Sequence, residues 1–307
     1  MCAEACREPS GLKGEEAGRR RAPPEHEDAG GGLRARADLV AILGELYDRY
    51  DHREFVHPDP LEFLYDFQEV ADREVAGVVA SSLAFGRVAH ILKSVSTVLG
   101  AMGPSPAGFL SGSSRRSLER AFSGFRHRWT TGEQVAGALT GVRNVIREHG
   151  SLEACFLAGF APDDGTVVPA LCAFSRALSL AGGYRGASCE YLLPSPEKGS
   201  ACKRLNLFLR WMVRRDGVDP GGWTGVPASK LVIPLDTHMH RIGLALGITR
   251  RKNADMRAAL EMTAAFAEIA PEDPVRYDFC LTRLGMRGGV ALEDFLSAID
   301  EAQCSAG

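Results

Sequence analysis

The chain has 307 residues, 45% of them hydrophobic, and a formal net charge of −3 at pH 7. That much apolar content excludes a fibrous or wholly disordered chain and suffices for a full core, arranged as one domain with two lobes. No apolar run approaches the roughly 20 residues of a membrane span, and the N-terminus lacks a secretory signal pattern, so no membrane partner is expected.

Residues 1–36 are rich in Gly, Glu, Arg and Pro with hardly an apolar side chain, the composition of a disordered tail. Residues 37–307 read as a single helical domain. Leu39, Leu43, Leu46 and Tyr47 set a helix over Leu39–Tyr50, and Pro58-Asp59-Pro60 breaks the pattern. A long periodic stretch from Glu74 to Leu99 is interrupted near Gly86. Thr130 or Thr131 caps a helix that runs to His149, with Gly150 as its stop. Ser151–Phe160 and Val167–Leu180 are two further short helices.

Lys203–Val213 follows, with a core face of Leu205, Phe208, Leu209 and Met212. Its second stripe carries Lys203, Asn206, Arg210 and Arg214. An apolar run then ends at Pro234, and Asp236 sits where an N-cap belongs, before a helix marked by Ile242, Ala245 and Leu246 and stopped by Gly247. Asp255–Ala270, closed by Pro271, and Pro274–Leu284 complete the set. Strand patterns are almost absent, so the class is all-α. The two helical lobes are placed at about 72–190 and at 37–71 together with 191–307.

The charge is unevenly spread. Acids dominate from Asp38 to Glu74, whereas Lys198–Arg215 contains none. Arg241, Arg250, Arg251 and Lys252 follow Asp236, and Arg115 to Arg147 forms a third basic stretch. Two basic stretches flanking one acid suit phosphate binding, against the plainer reading of solvated faces. The segment Gly124-Phe125-Arg126-His127-Arg128-Trp129 fits no helical pattern. Alternating aromatic and basic residues suit base stacking with phosphate contact, or a loop pinned by its aromatics.

Pro234 to Gly247, with its Asp236-Thr237-His238-Met239 core, resembles the "V-D-T-H-V" segment of the helix-hairpin-helix, endonuclease III-like DNA glycosylases. More closely, most of residues 37–295 resembles an uncharacterised bacterial family, domain of unknown function 2400, taken as a distant branch. The resemblance implies a glycosylase-like fold in which Asp236 is the catalytic carboxylate. Lys203-Arg204-Leu205-Asn206 is similar to the family's "K-T-A-N", which makes Lys203 the candidate Schiff-base nucleophile. Leu193-Pro194 and Gly199 match its "L-P-G-V-G" hairpin, although the hairpin is longer here and one Gly is missing. The family's DNA-facing turn often carries a Gln, whereas this chain has Ala84-Phe85-Gly86-Arg87.

The expected function is excision of a damaged or modified base from DNA, with AP-lyase chemistry where Lys203 attacks the sugar. A fixed carboxylate stabilises the positive charge that develops on the sugar, and a nearby amine can attack the sugar carbon. Arg204, Asn206, Arg210, Arg214, Arg126, His127, Arg128, His238, Arg241 and Gly199 are the expected DNA contacts. The alternatives are a non-catalytic DNA-binding relative and a metal hydrolase. Asp236, His238 and His240 resemble a D-x-H-x-H metal motif, but such barrels take about 250 residues and need later ligands, and no His follows His240. Eight scattered cysteines form no C-x-x-C pair, so the cytoplasm is the expected compartment. Only Cys280 and Cys304 follow the Asp236 segment, so no iron–sulfur cluster and no other cofactor is expected.

Overall fold

The structure, a computed structural model, describes residues 29–183, 192–284 and 294, 295 and 297, with side chains from Leu39 onward. Cys2, Cys6, Cys189 and Cys304, and most of the tail read at 1–36, lie outside the described residues. The described elements are nearly all helices, so the all-α class holds. Helix α1 spans Ala29–Tyr50 and buries Leu43, Leu46 and Tyr50. It starts inside the segment expected to be disordered, and Ala29–Arg36 is helical. Once Leu43 and Leu46 are packed, extension costs little per residue, and Leu33, Arg34, Ala35 and Arg36 are good helix formers.

The stretch expected from Glu74 to Leu99 is two helices, α2 (Val70–Ser82) and α3 (Val88–Met102). They meet at a tight turn in which Gly86 has φ +102°, a conformation that disfavours any side chain. Two seven-residue helices, α4 (Pro106–Gly112) and α5 (Arg115–Ala121), follow under Ser105 and Ser114 caps. At two turns each they are too short to show a readable period. A two-stranded antiparallel ribbon then pairs Arg126 with Thr131 and His127 with Thr130. Helix α6 (Gly132–His149) starts in a capping box between Thr131 and Gln134 and stops at Gly150, φ +93°.

Helices α7 (Leu152–Leu157) and α8 (Val168–Ala181) come next, then α9 (Lys203–Val213), α10 (Thr237–Ala245), α11 (Met256–Ala267) and α12 (Asp278–Thr282). The last two are shorter than the sequence pattern, because Pro271 and Pro274 force a run of turns between them. Helix α6 approaches α8 so closely at Gly141 that a Cβ there would stand 2.3 Å from the Leu178 carbonyl oxygen.

One continuous core runs through the molecule, and α2 is central to it, packed against α9, α4 and the 3-10 turn at Pro60–Asp66. Phe156, Phe174, Phe208 and Trp223 meet edge to face or stacked at its middle. Burying each of these Phe side chains stabilises the fold by about 1.5–3 kcal/mol. The buried carboxylate of Glu74 ties α2 to its surroundings, accepting hydrogen bonds from the backbone of Leu152 and Glu153 and from Trp223 Nε1. No described helix is long and apolar enough to cross a membrane.

Candidate functional site

Asp236 caps α10 as its sequence position requires. Its Oδ1 accepts hydrogen bonds from the backbone N–H groups of His238 and Met239, both at 2.9 Å. That leaves Oδ2 for Lys203, the first residue of α9, whose Nζ stands 2.9 Å away. Burial pushes the Asp236 carboxyl up. The Lys203 ammonium and the two backbone donors outweigh it, so the group lies below the usual carboxylate range. Both side chains are about one-third exposed, at 34% and 29%. The pair is therefore fixed, charged and reachable.

It lies at the edge of a cavity of about 230 Å³. Pro58, Ala84, Val88, Ile91, Leu207 and Pro234 give that cavity apolar walls. Its polar end holds Asp278 and Arg210, with Asp59 and Arg283 as a second pair at 2.6 Å. Asp278 is 2% exposed; its Oδ2 accepts from Arg210 Nη1 at 2.5 Å and its Oδ1 has no hydrogen-bond partner among the described residues. Sequence reasoning passed over Asp278 and gave Asp59 no weight. The available signal was an acid set among Tyr277, Phe279, Cys280 and Leu281, where a solvated side chain would not be placed.

Several expected DNA contacts take other roles. Arg210 and Arg214 are 3% and 4% exposed and lie inside the protein. Arg210 also holds Asp219, and Arg214 pairs with Asp216, Asp219 and Asp273. These acids outweigh the burial of both guanidinium groups and keep them firmly charged. The stripe that looked like a phosphate footprint is thus a buried ion network joining α9 to the 216–219 loop and the α11–α12 segment. Asn206 is 1% exposed and donates to the Ala201 carbonyl. His127 is buried between Ser94 Oγ and the Phe85 carbonyl. Gly199 is exposed in the left-handed conformation, but its N–H already bonds to the Pro196 carbonyl and is not offered to a ligand.

Other candidates remain accessible. Arg126, Arg128 and Arg241 are exposed, while Arg204 is half-buried, donating to the Ser82 carbonyl and lying over the Phe85 ring. His238 and His240 do not converge on a common point with Asp236. Their Nε2 atoms bond to the carbonyls of Leu281 and Arg251 respectively. Among the described residues no three His, Cys, Asp or Glu side chains are grouped to hold a metal ion.

The model of one protein family, described as protein of unknown function (DUF2400), matches residues 59–287. The chain belongs to this family. The DUF2400 match contains Lys203, Asp236, Asp278 and the ribbon at 126–131, and reaches from Asp59 past Arg283, so it covers every residue that lines the cavity except Pro58. No curated protein and no solved structure matches the chain.

Proposed function

We propose that this DUF2400 protein binds DNA in the manner of the helix-hairpin-helix glycosylases and excises a damaged or modified base. One observation carries the reading. The two residues singled out by the resemblance to the glycosylases, Lys203 and Asp236, come from different elements and meet at 2.9 Å beside a cavity of base-sized dimensions. At about 230 Å³ that cavity is smaller than the roughly 300 Å³ at which drug-sized pockets begin, which suits one flipped base.

Cleavage sends the electron pair of the sugar–base bond to the base and leaves positive charge on the sugar. Asp236, ionised and immobile, stabilises that charge. The Lys203 ammonium can protonate the departing base. The amine so formed can bond to the sugar carbon and give up a proton; the ring C–O bond at that carbon then breaks, its electron pair going to the ring oxygen, and the resulting imine is what borohydride reduces. Exposed Arg87, next to the lining residue Val88, together with exposed Arg126, Arg128 and Arg241, supplies phosphate contacts in place of the buried Arg210 and Arg214.

Borohydride trapping on oligonucleotides containing an abasic site or a single altered base tests the assignment of Lys203. A covalent product that Lys203→Ala abolishes, with the affinity for DNA kept, supports Lys203 as nucleophile. Trapping that persists in the variant removes it from that role. Base release without trapping leaves Lys203 as proton donor alone.

A further inference from the structure

The short ribbon at residues 126–131 takes no part in breaking the sugar–base bond, yet it is firmly anchored. Its two strands pair only Arg126 with Thr131 and His127 with Thr130, leaving Arg128 and Trp129 as the turn. Arg128 has φ +54°, a left-handed conformation normally left to Gly or Asn. The buried His127 pins the ribbon to α3 through Ser94 and to the α2–α3 turn through the Phe85 carbonyl. The Arg128 side chain runs alongside Gly86, where a Cβ would come within 3.1 Å of its Cδ.

What this anchoring displays is a layered stack. Trp129 lies on Phe85 with ring centroids 5.7 Å apart and planes 26° from parallel. The Arg128 guanidinium lies 4.4 Å from the Trp129 ring centre, and Arg204 lies 5.1 Å from that of Phe85. Trp129 is 52% exposed, whereas Trp211 and Trp223 are 1% and 3% exposed. Trp129 packs on Phe85 and carries Arg128 beside it, yet about half of its surface stays in solvent. Ala84 and Val88, on either side of Phe85–Arg87, line the cavity, so the stack stands at its rim.

We infer that Trp129, backed by Phe85, forms a stacking platform for an unpaired nucleobase, which takes the place of the Arg128 guanidinium over the Trp129 ring as Arg128 turns with Arg126 to the adjoining phosphates. The protein therefore engages DNA at a single-stranded or locally opened site rather than on intact duplex. This rests on the DNA-binding reading but not on base excision. Every base has a π face, so such a platform tolerates sequence, and losing one stacked base weakens binding by about 5- to 100-fold.

Trp129 supplies its own probe, because it is the exposed member of the chain's three tryptophans. The full chain is titrated with a single-stranded oligonucleotide and with the matching duplex, following tryptophan emission and affinity. We expect quenching and tighter binding with the single strand. Trp129→Ala should lose about 5- to 100-fold in single-strand affinity with an unchanged melting temperature, and Trp129→Phe should retain most of it. Equal binding of both forms without quenching, or a Trp129→Ala protein that binds single strand as wild type does, overturns the platform. If base release survives in that case, the excision reading stands without it. Failure to bind either oligonucleotide overturns the platform and the DNA reading together.

Discussion

Replacing Arg210 by Ala separates a structural role from a DNA-binding one. Its guanidinium donates to Asp278 Oδ2 at 2.5 Å and, through Nε and Nη2, to Asp219 Oδ1 at 3.2 and 3.1 Å. Both acids are essentially unexposed, at 1% and 0% of their side-chain surface. Asp278 Oδ1 already has no hydrogen-bond partner among the described residues, so the substitution leaves that carboxylate with none there, and leaves Asp219 to Arg214. Breaking a buried pair in this way costs about 3–5 kcal/mol. Against a total stability of about 5–15 kcal/mol this is a large share. Urea unfolding of Arg210→Ala should therefore show a midpoint shifted far down, while the folded fraction keeps the wild-type salt dependence of oligonucleotide affinity. A phosphate contact would behave oppositely, lowering the salt slope by about 0.9 with little change in stability. Stability within about 1 kcal/mol of wild type together with a reduced slope would refute the buried-network assignment.

Asp236→Asn should keep the α10 cap, because Asn also accepts from the first-turn N–H groups, and lose only the modest ion pair with Lys203. As the Asp236 carboxyl lies below its ordinary range, its contribution to stability is complete above about pH 4 and fades as pH falls through the lowered value. Acid unfolding of the Asn variant should thus be less steep at that end than wild type; an identical profile would detach Asp236 from the pair. His127 is pushed below its usual value by burial, with Arg128 and His90 adding to the effect. The Phe85 carbonyl can only accept, so the neutral ring carries its proton on Nε2 and accepts from Ser94 through Nδ1. The neutral ring's contribution is complete above about pH 6.5 and is lost as pH falls below that through the lowered value, so the ribbon should loosen and Trp129 emission change only below about pH 6.5. Unchanged emission over that window would argue against His127 as the anchor. Glu74→Gln turns an amide N–H₂ toward one of three donors and should cost about 1–3 kcal/mol in thermal or urea unfolding without altering DNA affinity; a neutral effect would mean the site relaxes.

Where local chemistry decides an element, the sequence already carried it. Helix α6 is marked by Thr130 or Thr131 ahead of it and Gly150 behind it, and its limits match, with Thr131 as the cap. Asp236 as the cap of α10 followed from an acid placed before a helical period. Long-range choices were not legible in the same way. Arg210 and Arg214 repeat at a helical interval, and such a stripe looks alike in solvent or in a buried network, because the deciding acids Asp219, Asp273 and Asp278 come from other segments. The ribbon has two residues per strand, too few for an alternation to register, and it exists because His127 finds Ser94 and Phe85. The meeting of Lys203 with Asp236 is of the same kind: the resemblance singled out each residue, but only the packing of α9 against its neighbours sets the distance.

The most direct measurement is single-turnover base release from a panel of oligonucleotides, single-stranded and duplex, each bearing one altered base. It is run with the wild-type chain and with Asp236→Asn at matched folded concentration. We expect release from at least one substrate by wild type, and a loss of about 100-fold or more in the variant with oligonucleotide affinity unchanged. Equal release by the two proteins, or none from any substrate by a wild-type chain that binds them, would contradict Asp236 as the catalytic carboxylate of a base-excising enzyme.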